Sequence, residues 1–160
     1  MDWKRDLSEN RVKYFGNSLV AIIIVVLVTG FFRPSDSIFT SIQEGNLILS
    51  YTRRQYAKSE SLVSDSPAMS DIAAFELTDS FDKGQMREGV QSRSCMAGTW
   101  VNDVDGEYRL YAYADVGAFI RIKLADGRLF VINFEDAKTT ELFYEAVADY
   151  LEKTSALNIT

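Results

Sequence analysis

The sequence predicts a mainly β domain of seven or eight short strands, closed by one C-terminal α-helix and preceded by one N-terminal membrane helix. Three observations predict it. Short apolar or alternating runs, separated by turn residues, fill most of residues 38–134. The period then changes, and Leu142, Phe143, Ala146, Val147, Tyr150 and Leu151 recur at helical spacing. Ahead of both lies an uncharged run from Tyr14 to Phe32. The implied organisation is a short tail over 1–13, a transmembrane helix over 14–32 and a linker over 33–37. A β domain over 38–153 and a tail over 154–160 follow.

The run from Tyr14 to Phe32 is long enough, at about 1.5 Å per residue, to cross a hydrocarbon core of about 30 Å. Its centre, Leu19 to Val28, is β-branched and apolar on every side. In water such a run favours a strand, but in lipid only a helix satisfies its own backbone. Trp3, Tyr14, Phe31 and Phe32 sit near its ends, as interfacial aromatics do. No small-residue cleavage site follows; the chain runs Thr29-Gly30-Phe31-Phe32-Arg33-Pro34, so an uncleaved anchor in the bilayer is expected. Lys4, Arg5, Arg11 and Lys13 precede the span, and only Arg33 follows it before Arg53. That imbalance places the N-terminus in the cytoplasm and the domain outside a single-pass cell membrane.

Beyond the junction Pro34 to Ser37, Ile38 to Ile42 reads as a strand. Glu44-Gly45-Asn46 is a turn and Asn46 to Tyr51 the returning strand. Arg54 to Leu62 alternates loosely, Ser64 to Ser70 with Pro67 reads as a loop, and Ile72 to Thr78 is strand or helix. Asp82 to Ser94, charged and holding Gly84 and Gly89, reads as the longest loop. Met96 to Val101, Glu107 to Ala114, Phe119 to Leu124 and Leu129 to Phe134 are strands, with Asp126-Gly127 a two-residue hairpin signal. Asp136, Thr139 and Thr140 are candidate N-caps of a helix of roughly 12–15 residues by its periodic span. Its apolar stripe is expected to bury Leu142, Phe143, Val147 and Leu151 and to turn Glu141, Glu145, Asp149 and Glu152 outward.

The charge balance bears on partners. Residues 1–32 carry four Lys/Arg and three Asp/Glu, while the remainder carries thirteen against twenty. An acidic domain is repelled by nucleic acid and anionic lipid, so no nucleic-acid partner is expected. The chain has no histidine and one cysteine, Cys95. No disulfide, no Ser-His-Asp or Cys-His pair and no zinc site can be assembled from that set. Carboxylate pairs exist at Asp79 with Asp82 and at Asp103 with Asp105, the second in a turn. Asn102 to Gly106 looks in part like a calcium loop. With Gly106 as sixth position, however, the first is Val101 and the twelfth Ala112, neither an oxygen ligand. No phosphate loop or dinucleotide fingerprint occurs. The reading therefore contains no catalytic residue, metal site or small-molecule cofactor. The tyrosines Tyr108, Tyr111 and Tyr113 read as strand packing, and the basic pair Arg53 and Arg54 as a possible interaction point.

The residues Gly98-Thr99-Trp100, Asp105 to Ala112, Ile120-Arg121-Ile122, Asp126 to Ile132 and the helix from about Lys138 carry a resemblance. So do Glu44 to Leu49 and Asp71-Ile72. In this order they resemble the bacterial pleckstrin-homology-like domains, over residues 38–152. The resemblance implies a bent, partly open barrel of about seven strands with the helix plugging one end, often hung from membrane helices. Eukaryotic relatives bind inositol phosphates through basic residues in the first hairpin loop; here Gln43-Glu44-Gly45 is acidic, so that activity does not carry over. The expected function is a non-enzymatic, membrane-anchored interaction module for a protein or peptide, taken up at a sheet edge or beside the helix. The alternatives are an accessory subunit of a membrane complex and a carboxylate-based hydrolase using Asp103 or Asp105.

Overall fold

A computed structural model describes the backbone of residues 35–55 and 58–157. The expected membrane helix, Tyr14 to Phe32, lies outside the described residues. Among the described residues no helix is long and apolar enough to cross a membrane. Backbone contacts divide the chain into two units, Met1–Ser35 with Arg54–Lys58, and Asp36–Arg53 with Ser59–Thr160. Apart from Ser35, Arg54, Gln55 and Lys58, the residues described below belong to the second unit.

Its strands are β1 (Ser35–Gln43), β2 (Asn46–Gln55), β3 (Lys58–Asp65), β4 (Ile72–Thr78) and β5 (Gln85–Gln91). They continue with β6 (Cys95–Asn102), β7 (Gly106–Tyr113), β8 (Phe119–Leu124) and β9 (Leu129–Ile132). A 3-10 turn, Met69–Asp71, precedes β4, and one helix, α1 (Ala137–Leu157), ends the domain. The domain is thus mainly β with a C-terminal helix. It has nine described strands in two sheets where about seven in a barrel were expected, and no closed barrel forms.

The first sheet has the order β1-β2-β3, the second β4-β8-β9-β7-β6-β5. The β1–β2 turn is Glu44-Gly45, both with positive φ, as a two-residue hairpin turn requires. In the second sheet β8 and β9 form the hairpin that Asp126-Gly127 announces, pairing Ile120 with Ile132 and Ile122 with Phe130. β9 then lies parallel to β7, Leu110 opposite Val131, where a simple meander would be antiparallel throughout. β4 docks on the far side of β8, Glu76 opposite Arg121, with a bulge between Ile72 and Ala74.

Alternation gives this sheet two buried faces. One face carries Ala97, Tyr111, Ile120, Ile122, Leu124, Phe130 and Ile132, packed with Leu47, Leu49 and Tyr51 of β2 and with Val147 of α1. The opposite face buries Met96, Trp100, Tyr108, Leu110, Phe119, Leu129 and Val131. Phe81 packs there, edge-on to Tyr108 at 5.2 Å and tilted on Phe119 at 5.8 Å. Phe81 belongs to the connection between β4 and β5, which are the two outer strands. Across a flat six-stranded sheet these would stand about 24 Å apart, near the limit of the connector's reach. The connector is not extended, since Thr78 Oγ1 bonds Ser80 and Asp82 Oδ1 accepts the Gly84 N–H. The sheet must therefore curl around this second core.

Three further expectations are corrected. The supposed loop Asp82 to Ser94 contains β5, exposed at every residue but Val90. The supposed junction residues Asp36 and Ser37 lie within β1, while Ile72 to Thr78, read as strand or helix, is a strand. The helix runs through Leu157, beyond the expected length, and Leu142 is exposed (56%) rather than buried. Its packed stripe is Thr140, Phe143, Tyr144, Val147 and Leu151, with Tyr144 stacked on Phe75 at 5.2 Å and Phe143 against Phe134 at 4.8 Å. Asp136 is the N-cap: its carboxylate accepts the Thr139 N–H at 2.7 Å and the Thr139 hydroxyl at 2.9 Å.

Candidate functional site

Among the described residues, one concave feature is a cavity of about 300 Å³ lined by Ala74 and Glu76 of β4, Arg121 and Lys123 of β8, Val104 and Asp105 of the β6–β7 turn, and Gly127 and Leu129. The sheet builds it by register. On β8, Ile120, Ile122 and Leu124 enter the core, so Arg121 and Lys123 take the other face. On β4, the bulge before Ala74 puts Phe75 and Leu77 into that core and brings Ala74 and Glu76 beside the two cations. Glu76 stands opposite Arg121, and Ala74 opposite Lys123.

The cavity wall above is the Asn102–Gly106 turn. Asn102 Oδ1 accepts the backbone N–H groups of Val104 (3.1 Å) and Asp105 (2.6 Å), an Asx turn. Its Nδ2 donates to the Asp82 carbonyl at 2.7 Å and to Asp105 Oδ2 at 3.2 Å. This holds the Asp105 carboxylate over β8, where its Oδ1 accepts a hydrogen bond from Arg121 Nη2. Only 9% of the Asp105 side chain is exposed, so the pair is largely withdrawn from water. The Arg121 guanidinium also lies 5.9 Å from the Phe81 ring centre, a cation–π contact that joins the site to the second core. Its Nε is buried and finds no acceptor. Glu76 and Lys123 are exposed, and neither forms an ion pair among the described residues. Val104, 82% exposed, caps the rim.

Of the two carboxylates considered for hydrolysis, Asp105 is committed to Arg121 and Asn102, and Asp103 is exposed in the turn. Cys95 lies elsewhere, buried under β1, its Sγ 3.6 Å from the Asp36 carbonyl, and burial pushes the thiol above its ordinary value. Among the described residues no group of three or more His, Cys, Asp or Glu side chains is placed to hold a metal ion.

Of the basic pair read from the sequence, Arg53 is not brought to the cavity. Its Nε donates to Asp36 Oδ1 at 3.0 Å and its Nη2 to the Tyr51 hydroxyl at 3.3 Å. Burial pushes Asp36 up, but hydrogen bonds from Arg53, Ser92 and Tyr51 outweigh it and hold the carboxyl below its ordinary value. Arg54 lies near the end of β2, with its side chain outside the description. Sequence reasoning had Phe119 to Leu124 as a strand, but not the strand beside it, because β4 and β8 are far apart in the chain. No protein-family model, curated protein or solved structure matches this chain.

Proposed function

We propose that this chain is a non-enzymatic, single-pass membrane-anchored interaction module with a pleckstrin-homology-like domain, and that an extended segment of a partner protein docks along β4. The carrying observation is the position of β4: it is an outer strand of its sheet and its Ala74 and Glu76 line the cavity. An added strand would gain main-chain hydrogen bonds from the edge and side-chain contacts from the cavity. Two other outer strands, β5 and β1, suit this less. β5 carries two charged residues, Arg87 and Glu88, and the exposed Arg87–Glu107 pair, features that discourage strand addition. β1 is tied down, its Ile38 N–H donating to the Tyr113 hydroxyl and its Asp36 carbonyl facing Cys95. β4 has one charged residue and no proline. The two sheets and C-terminal helix are consistent in outline with the resemblance; the parallel β7–β9 pair departs from a meander.

The test is a photo-crosslinking residue at Ala73, the bulged edge position, in the full chain in native membranes, with the same residue at Arg87 as control. A discrete adduct from position 73 alone supports the reading. Equal adducts from both, or none, overturns it. Protease added outside intact cells lacking an outer envelope tests the orientation: digestion places the domain outside, and full protection until lysis reverses it.

A further inference from the structure

We infer that the segment received at β4 carries two opposite charges two residues apart, a Lys or Arg facing Glu76 and an Asp or Glu reaching Lys123 across Ala74. The inference rests on the edge-docking reading above and names the chemistry of the partner.

The geometry is that of adjacent strands. Side chains on one face of a strand recur every second residue, about 6.6–7 Å apart, so an added strand places neighbours beside both Ala74 and Glu76. The neighbour beside Glu76 lies about 4.5–5.5 Å away at Cβ. Arg121, on the other flank of Glu76, is held by Asp105, so Glu76 is left to a cation from the incoming side. The neighbour beside Ala74 looks over a single methyl group toward Lys123. Two strand spacings separate it from Lys123, roughly 9.6 Å, which a lysine and a glutamate side chain together bridge. A larger residue at position 74 would close that path.

Charge complementarity points the same way. Glu76 and Asp105 balance Arg121 and Lys123, so the cavity is neutral overall but divided. The chain as a whole carries −6 and repels a polyanionic segment at long range, whereas a segment of balanced charge approaches freely. A purely apolar segment would leave Glu76 and Lys123 beside it without partners, and a doubly basic one would set a cation against Lys123.

The test uses the full chain in detergent micelles and four capped, fluorescein-labelled peptides read by anisotropy. The reference peptide is Thr-Val-Lys-Val-Glu-Val-Thr; its companions carry two Thr, two Lys or two Glu at the charged positions. The reference should bind about three- to tenfold tighter than the two-Thr peptide, the range of two exposed ion pairs, and the gap should narrow with salt. In Lys123→Glu the order should switch, so that the two-Lys peptide binds best. A misfolded variant cannot show this switch. If all four peptides bind alike, the charge pairing is overturned while edge docking survives. If none binds at about 1 mM, the weakest affinity worth assigning to an interaction site, both fall.

Discussion

Asp65 of β3 and Arg109 of β7 meet between the two sheets, the guanidinium Nε 2.7 Å from the carboxylate Oδ2. The same oxygen accepts the Tyr111 hydroxyl at 2.5 Å, and Arg109 Nη1 donates to Thr99 Oγ1 at 2.9 Å. One carboxylate thus fastens the small sheet to the large one through two partners that are themselves mostly buried. Asp65→Ala leaves both donors without it and should cost about 1–3 kcal/mol. Arg87→Ala, which breaks a pair exposed on both sides, should cost less than about 0.5 kcal/mol. Urea denaturation of the two variants measures the difference; equal midpoints would mean the inter-sheet bond contributes nothing.

The helix offers a second contrast. Phe143 packs on Phe134 and is half-buried, so Phe143→Ala should cost about 2–3 kcal/mol, below the usual 3–5 for a fully buried ring. Leu142→Ala, one residue away and exposed, should change stability by less than about 0.5 kcal/mol. The same denaturation series reads both. A larger loss at Leu142 would rotate the packed face of α1.

Alkaline pH should destabilise the domain. Burial, with the hydrogen bond to Asp65 adding to it, pushes the Tyr111 phenol well up; burial, with Asp105 and Asp82 nearby, does the same to Tyr108. The folded chain holds these protons more tightly than the unfolded chain. Their contribution is therefore whole below the ordinary phenol value of about 10 and declines as pH rises beyond it. Phenolate absorbance of these two rings should appear together with loss of ellipticity. Titration of all the tyrosines in a still-folded chain would contradict this.

Gly98 and Gly89 face each other in the β5–β6 ladder, both with positive φ. A Cβ on Gly98 would sit 2.2 Å from the Glu88 carbonyl oxygen and 2.6 Å from the Gly89 Cα. Gly98→Ala should cost about 4 kcal/mol or more and detach β5. Gly45→Ala, where a Cβ meets nothing within 4 Å, should cost only the left-handed strain, about 1–2 kcal/mol. Hydrogen exchange confined to 85–91 would report the detachment.

The strands from β6 onward were legible because each alternates and ends on a strong turn, as at Asp126-Gly127. β5 was not, because a strand at the margin of a sheet with neither face buried has no apolar period to read. The helix stripe was displaced toward Leu142 because a buried threonine escapes a hydrophobic count. Thr140 earns its burial by bonding the Asp136 carbonyl and accepting the Phe134 N–H. The cavity was half legible: β8 was read as a strand, and Asn102–Gly106 as a turn. Its pairing with Arg121 was not, since nothing local says that Asp105 lies over β8 or that β4 pairs there.

The insertion of β9 between β7 and β8 sets an order of assembly. β4 has no ladder until Phe119 to Leu124 has been synthesised, and β8 reaches β7 only through β9. A growing chain therefore carries β4, apolar and unpaired, while β5, β6 and β7 are already free to zip into their own hairpins. The strand that waits longest for its first ladder is also one left with an open side, so its attachment is the step a passing chaperone, or a premature partner, is best placed to intercept.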